Sequence, residues 1–144
     1  MALAETKICM VNAVISAIGS DENRQLLLAE REVQMELGDG ILNPEKEAGN
    51  LVALFSIAGV PSVVDSLSSS TILEIQEILR KNDENDIFLG FKKGPDYSPH
   101  IIHISEVLPD GFRSKQQFLS NEEIVVELMQ QSEVQVFIRR DSGK

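Results

Sequence analysis

At 144 residues, with 42% hydrophobic and 25% charged side chains, the chain has the size and composition of one ordinary globular domain rather than of a disordered segment. Its formal net charge is −10, Trp is absent and there is one Tyr. Such a surface repels phosphates and anionic lipids and offers too few aromatic platforms for base stacking, which argues against nucleic acid and membrane as partners.

The charge is unevenly spread. Residues 1–85 hold 14 Asp and Glu against 6 Lys and Arg, whereas residues 86–144 hold 9 against 7. The first stretch, to about 85, has mostly helical spacing and the second mostly strand alternation, within a single domain spanning 1–144.

In chain order, Ile8 to Ile18 is apolar except for Asn12 and Ser16, with Ile8, Val11, Ile15 and Ile18 at helical spacing and Gly19 as a stop. The run is too short to cross a bilayer, and Glu5 offsets Lys7 where a secretory leader needs a positive start. A cytoplasmic amphipathic helix is expected. The single cysteine, Cys9, excludes an internal disulfide and is expected to pack as a small hydrophobe.

Ser20 suits the N-cap of a second helix, with Asp21 and Glu22 in its first turn and Gly38 at its end. Leu26, Ala29, Val33 and Leu37 are predicted to form its buried stripe. Glu32, Glu36 and Asp39 fall at i, i+4 and i+7 on one face, and Glu22 and Glu30 lie on the same element. Like charges at that spacing cost roughly a few tenths of a kcal/mol each, so local stability does not favour the arrangement. A basic partner offsets that cost and associates faster. Glu30, Glu32, Glu36 and Asp39 are therefore candidate partner-binding residues.

Asn43-Pro44 opens a third helix whose segment Leu51 to Ala58 is nearly all apolar, which predicts a central core helix ended by Gly59 and Pro61. Pro61 to Ser69 is expected to be a short helix or turn, with Ser66 to Ser70 a tight inter-helix loop. Thr71-Ile72-Leu73-Glu74 is a capping box, followed by Ile72, Ile75 and Leu79 as a buried stripe.

After Asn85 the period changes. Ile87, Leu89 and Phe91 predict one strand and Ile101, Ile102 and Ile104 a second. The turn formers between Lys92 and Pro99 predict a hairpin tip, and Lys92, Lys93, Asp96 and Tyr97 form a second candidate binding group there. Pro109-Asp110-Gly111 is a turn, and Phe112 to Leu119 is ambiguous between strand and loop. Ser120-Asn121-Glu122-Glu123 is expected to open a helix through Met129, and Val134, Val136 and Ile138 a last strand ending at Arg139-Arg140. The order predicts an α+β fold, N-terminal helices packed on one face of a small, mainly antiparallel C-terminal sheet. A helical bundle carrying a hairpin is the alternative.

No G-x-S-x-G, P-loop, G-x-G-x-x-G or H-E-x-x-H pattern occurs. His100 and His103 are three apart on a strand, so they should face opposite ways and share no metal. No cofactor or metal is called for, and the expected class is not an enzyme. It is a small cytoplasmic protein-binding module that covers a basic partner, as immunity proteins cover nuclease toxins, a comparison resting on size and charge alone. A structural adaptor or secretion-chaperone-like dimer, using a hairpin or sheet edge, is a second reading. An enzyme built around His100 or His103 and carboxylates is a third.

Overall fold

The computed structural model describes residues 2–38, 44–69, 71–93, 98–114, 117–120 and 134–141. Three helices come first: α1 (Ala2–Ile18), α2 (Arg24–Gly38) and α3 (Pro44–Ile57). Strand β1 (Ser62–Ser69) and helix α4 (Ile72–Lys81) follow. Then come β2 (Asp86–Lys93), β3 (Ser98–Ile104), β4 (Glu106–Leu108), β5 (Gly111–Ser114), β6 (Gln117–Ser120) and β7 (Val134–Asp141).

The described strands form two sheets. One has four strands in the order β1-β7-β2-β3, and the other three in the order β4-β5-β6, with every neighbouring pair antiparallel. Side-chain alternation divides the core between the two faces of the larger sheet. Phe88 of β2, Ile101 of β3 and Phe137 of β7 meet Met10, Val11, Val14, Leu27, Leu51, Leu54 and Phe55 of the first three helices. Ile87, Leu89, Val136 and Ile138 instead meet Ile75 and Leu79 of α4 and Phe112 of β5. The class is α+β with the N-terminal helices on one face, as expected, and α4 lies on the other. The expected N-cap holds as well: Thr71 Oγ1 accepts from the Glu74 N–H at 3.2 Å.

β1 and α3 differ from expectation, and one ambiguous stretch is resolved. The stretch expected as a short helix or turn with a serine loop is β1, paired along its length with β7. Val63 and Val64 favour extended backbone. Ser68 Oγ donates to Gln135 Oε1 at 2.8 Å from 67 residues away, and Asp65 pairs with Arg140. The strand is specified by that distant partner. Phe112 to Leu119, ambiguous from sequence, contributes to β5 and β6, and Phe112 is fully buried. α3 is not enclosed all round. Leu51, Leu54 and Phe55 are buried while Ser56 and Ile57 are exposed, because α3 packs on β1, α2 and α1 and leaves its outer side to solvent. In the part of α1 whose side chains are described, Met10, Val11, Ala13 and Val14 are all buried. Cys9 in it is half-buried.

Ser120 ends β6, and the rest of the helix expected from Ser120 to Met129 lies within 121–133, outside the described residues. No helix among the described residues is long and apolar enough to cross a membrane.

Candidate protein interface

The orientation of α2 is set by its polar residues. Arg31 is buried between α2 and α3, where its two terminal nitrogens donate to both carboxylate oxygens of Glu47 at 2.8 Å each. A charge-assisted fork of this kind is strong and directional. Arg31 Nη1 also donates to Gln34 Oε1 at 3.1 Å, and Asn50 Nδ2 donates to Glu47 Oε1 at 2.7 Å. Gln34 Nε2 reaches the Asn50 carbonyl at 3.1 Å and Glu30 Oε2 at 3.3 Å. At the other end of the helix, Arg24 Nη1 donates to Asn12 Oδ1 of α1 at 3.0 Å. The buried side of α2 is therefore Leu27, Arg31 and Gln34 at i, i+4 and i+7.

That seating turns the stripe predicted to be internal outward. Leu26 is 59% exposed and Val33 49% exposed, with Ala29 exposed between them. Leu37 has no described side chain. Glu32 and Glu36 are exposed on the same outward side, and Asp21 and Glu22 are exposed just before the helix begins. Both cations of α2 are used inward, Arg24 on Asn12 and Arg31 on Glu47. The outward face of α2 thus carries carboxylates, apolar groups and the neutral Gln25, and no cation. Glu30 stands apart from Glu32 and Glu36: it is half-buried and bonded to Gln34.

The second candidate group is only partly in view. Lys92 and Lys93 end β2, in register with Pro99 and Ser98 of β3, so the expected hairpin is present. Its tip, with Asp96 and Tyr97, lies outside the described residues, as does Asp39.

A polar array that sequence reading missed joins α1 to the sheet. Ser16 Oγ lies 2.8 Å from His103 Nδ1, and Asp86 Oδ1 lies 3.7 Å from His103 Nε2. Arg139 Nε donates to Asp86 Oδ2 at 2.8 Å, and its Nη1 to Ser62 Oγ at 2.7 Å. The guanidinium carbon sits 4.9 Å from the centre of the Phe55 ring. A carboxylate beside Nε2 favours the tautomer protonated there, which leaves Nδ1 to accept from the Ser16 hydroxyl. A serine, a histidine and an aspartate in line is the order of a nucleophilic triad. Asp86, however, gives its close contact to Arg139, whose positive charge weakens support for a developing imidazolium. The geometry is that of a clamp between α1, β2, β3 and β7. No group of three or more His, Cys, Asp and Glu among the described residues is placed to hold a metal.

The array has a pH consequence. Burial is the largest influence on Asp86 and pushes its carboxyl upward, but His103 and Arg139 together outweigh it and hold it below the ordinary carboxylate value. A carboxylate depressed in the folded state adds stability that is full above its unfolded pKa, near 3.9 for Asp by model compounds, and lost as pH falls through the folded value. Urea midpoints for wild type and Asp86→Asn should therefore differ most at neutral pH and begin to converge only as pH falls below about 4. A difference that does not shrink on acidification contradicts this.

The sequence also bears on what the chain is related to. It matches no family model, no curated protein and no solved structure.

Proposed function

We propose that the protein is a small cytoplasmic protein-binding module that covers a basic partner through the outward face of α2. The observation that carries the reading is the pairing of Glu32 and Glu36 with exposed Leu26 and Val33 on a helix whose two arginines are both turned inward. Water solvates carboxylates well, but exposed leucine and valine gain by being covered. An apolar patch with charge of one sign beside it has the anatomy of an interface in which the patch supplies affinity and the charge supplies steering. An inhibitor of the immunity type, masking the cationic surface of a nuclease toxin, is the form of this function that fits the size and charge of the chain.

The test is kinetic. A protein captured from the native host is identified, and its association with wild type and with the Glu32→Lys, Glu36→Lys double variant is followed over a range of salt. Charge reversal at both sites should slow association by about tenfold at low salt and flatten the salt dependence, while folding stability changes by less than about 0.5 kcal/mol. An unchanged association rate would remove the proposal.

One observation favours the adaptor reading instead. Among the described strands, β1 stands at an edge of the larger sheet, and it exposes Val63 and Leu67. Unprotected apolar edges invite strand pairing with a second chain. A concentration-dependent dimer in sedimentation, abolished by Val63→Lys with Leu67→Lys, would support that reading. A monomer at all concentrations would dismiss self-pairing through this edge.

A further inference from the structure

Resting on the protein-binding reading of α2, we infer that the partner's recognition element is a cationic amphipathic helix laid along this face. At about 100° per residue, Leu26 and Val33 project within roughly 20° of each other round the helix. Glu32 and Glu36 lie about 40° apart and roughly a quarter-turn away, with Ala29 between the two groups. The outward face is therefore split lengthwise into an apolar edge and an acidic edge, both exposed.

That split selects the occupant. A surface of scattered lysines satisfies the acidic edge and leaves Leu26 and Val33 wet. A purely apolar groove covers Leu26 and Val33 and strips water from Glu32 and Glu36 without replacing it, which is costly for a carboxylate. A helix with an apolar stripe bordered by Lys or Arg satisfies both edges at once, and its side chains recur at the same axial spacing as those of α2. Leu26 to Val33 spans about 10 Å, two helical turns, with the small Ala29 at the middle allowing close approach of the backbones. A second copy of this face does not fit, since its own Arg24 and Arg31 are bonded inward to Asn12 and Glu47 and bring no cation to the contact.

The inference is tested with the full chain and two synthetic peptides of about 18 residues, roughly five helical turns. Both contain the same leucines, lysines and alanines. One places leucine and lysine along adjacent edges of a helix; the other shuffles them evenly round it. The amphipathic peptide should bind about tenfold more tightly than the shuffled one, and Leu26→Asn with Val33→Asn should cost a similar factor, as should Glu32→Lys with Glu36→Lys. The same charge change at the exposed loop residues Asp83 and Glu84 should matter less than about twofold. Circular dichroism of each variant separates lost binding from lost folding.

Equal affinity for the two peptides, sensitive to Glu32 and Glu36 but not to Leu26 and Val33, overturns the helix inference and leaves the basic-partner reading intact. Failure of the amphipathic peptide to bind also overturns the inference, with the kinetic test on the captured protein still deciding the broader reading. Binding indifferent to both pairs of substitutions overturns the inference and removes α2 as the site.

Discussion

Glu47→Ala should be among the most destabilising single changes in the chain, lowering the unfolding free energy by about 3–5 kcal/mol. The carboxylate accepts two hydrogen bonds from Arg31 and one from Asn50 at a buried position. Its removal leaves a guanidinium shut away from water with only Gln34 to bond. The cost comes from that stranded charge rather than from the net worth of the pair. Replacing both partners by apolar residues, Arg31→Met with Glu47→Leu, should therefore cost much less than Glu47→Ala alone. Equilibrium urea unfolding of the three proteins checks the ordering. If the double variant is the least stable, the ion pair is a net source of stability and the desolvation argument is wrong.

Phe55→Ala should cost about 3–5 kcal/mol, near the upper end for large-to-small changes in a core. Phe55 is buried, meets the edge of Phe88 at 5.9 Å between ring centres, and lies under the Arg139 guanidinium. Truncation opens a cavity, removes an aromatic contact and exposes one face of a cation that organises Asp86. Leu73, 74% exposed on α4, is the control: Leu73→Ala should stay within about 0.5 kcal/mol. A Phe55→Ala loss as small as the control would mean that the α3-to-sheet contact is not where the core is held.

How much of this was legible in the sequence depends on where the deciding contact lies. The α4 cap was readable because Thr71 and Glu74 are neighbours in the chain. The β2–β3 hairpin was readable because alternation and turn residues are local signals. β1 was not, because its partner β7 is far along the chain and serines are poor indicators of a strand. Sequence periodicity points to the wrong inner face of α2 for a related reason. Periodicity assumes that apolar residues go inside, and Leu26, Ala29 and Val33 met the rule. The Glu47 carboxylate, 16 residues on from Arg31, makes a buried arginine acceptable and turns Leu27 and Gln34 inward with it. A local rule that fails in this way often marks a functional surface, and here the misplaced stripe is the candidate interface.

The clamp around His103 was missed although part of its signal was visible. Asn12 and Ser16 are the two polar breaks in the apolar run of α1, and each proves to hold a distant side chain, Arg24 and His103 respectively. Nothing in the sequence links Ser16 to residues 86, 103 and 139, which only the sheet brings together. The acidic candidates divide by the same logic. Glu32 and Glu36 face solvent, while Glu30 is drawn toward the Arg31 network by Gln34.

Side-chain footprinting of the complex with the partner isolated from the native host tests the central claim most directly. Hydroxyl-radical oxidation reports the exposure of Leu26, Val33, Val63, Leu67 and Leu73 in one experiment, since all five are exposed in the free protein. Binding through the outward face of α2 should protect Leu26 and Val33 and leave Leu73, Val63 and Leu67 as reactive as before. Unchanged reactivity at Leu26 and Val33, with protection appearing on Val63 and Leu67 of the β1 edge or at the tip beyond Lys93, would contradict it.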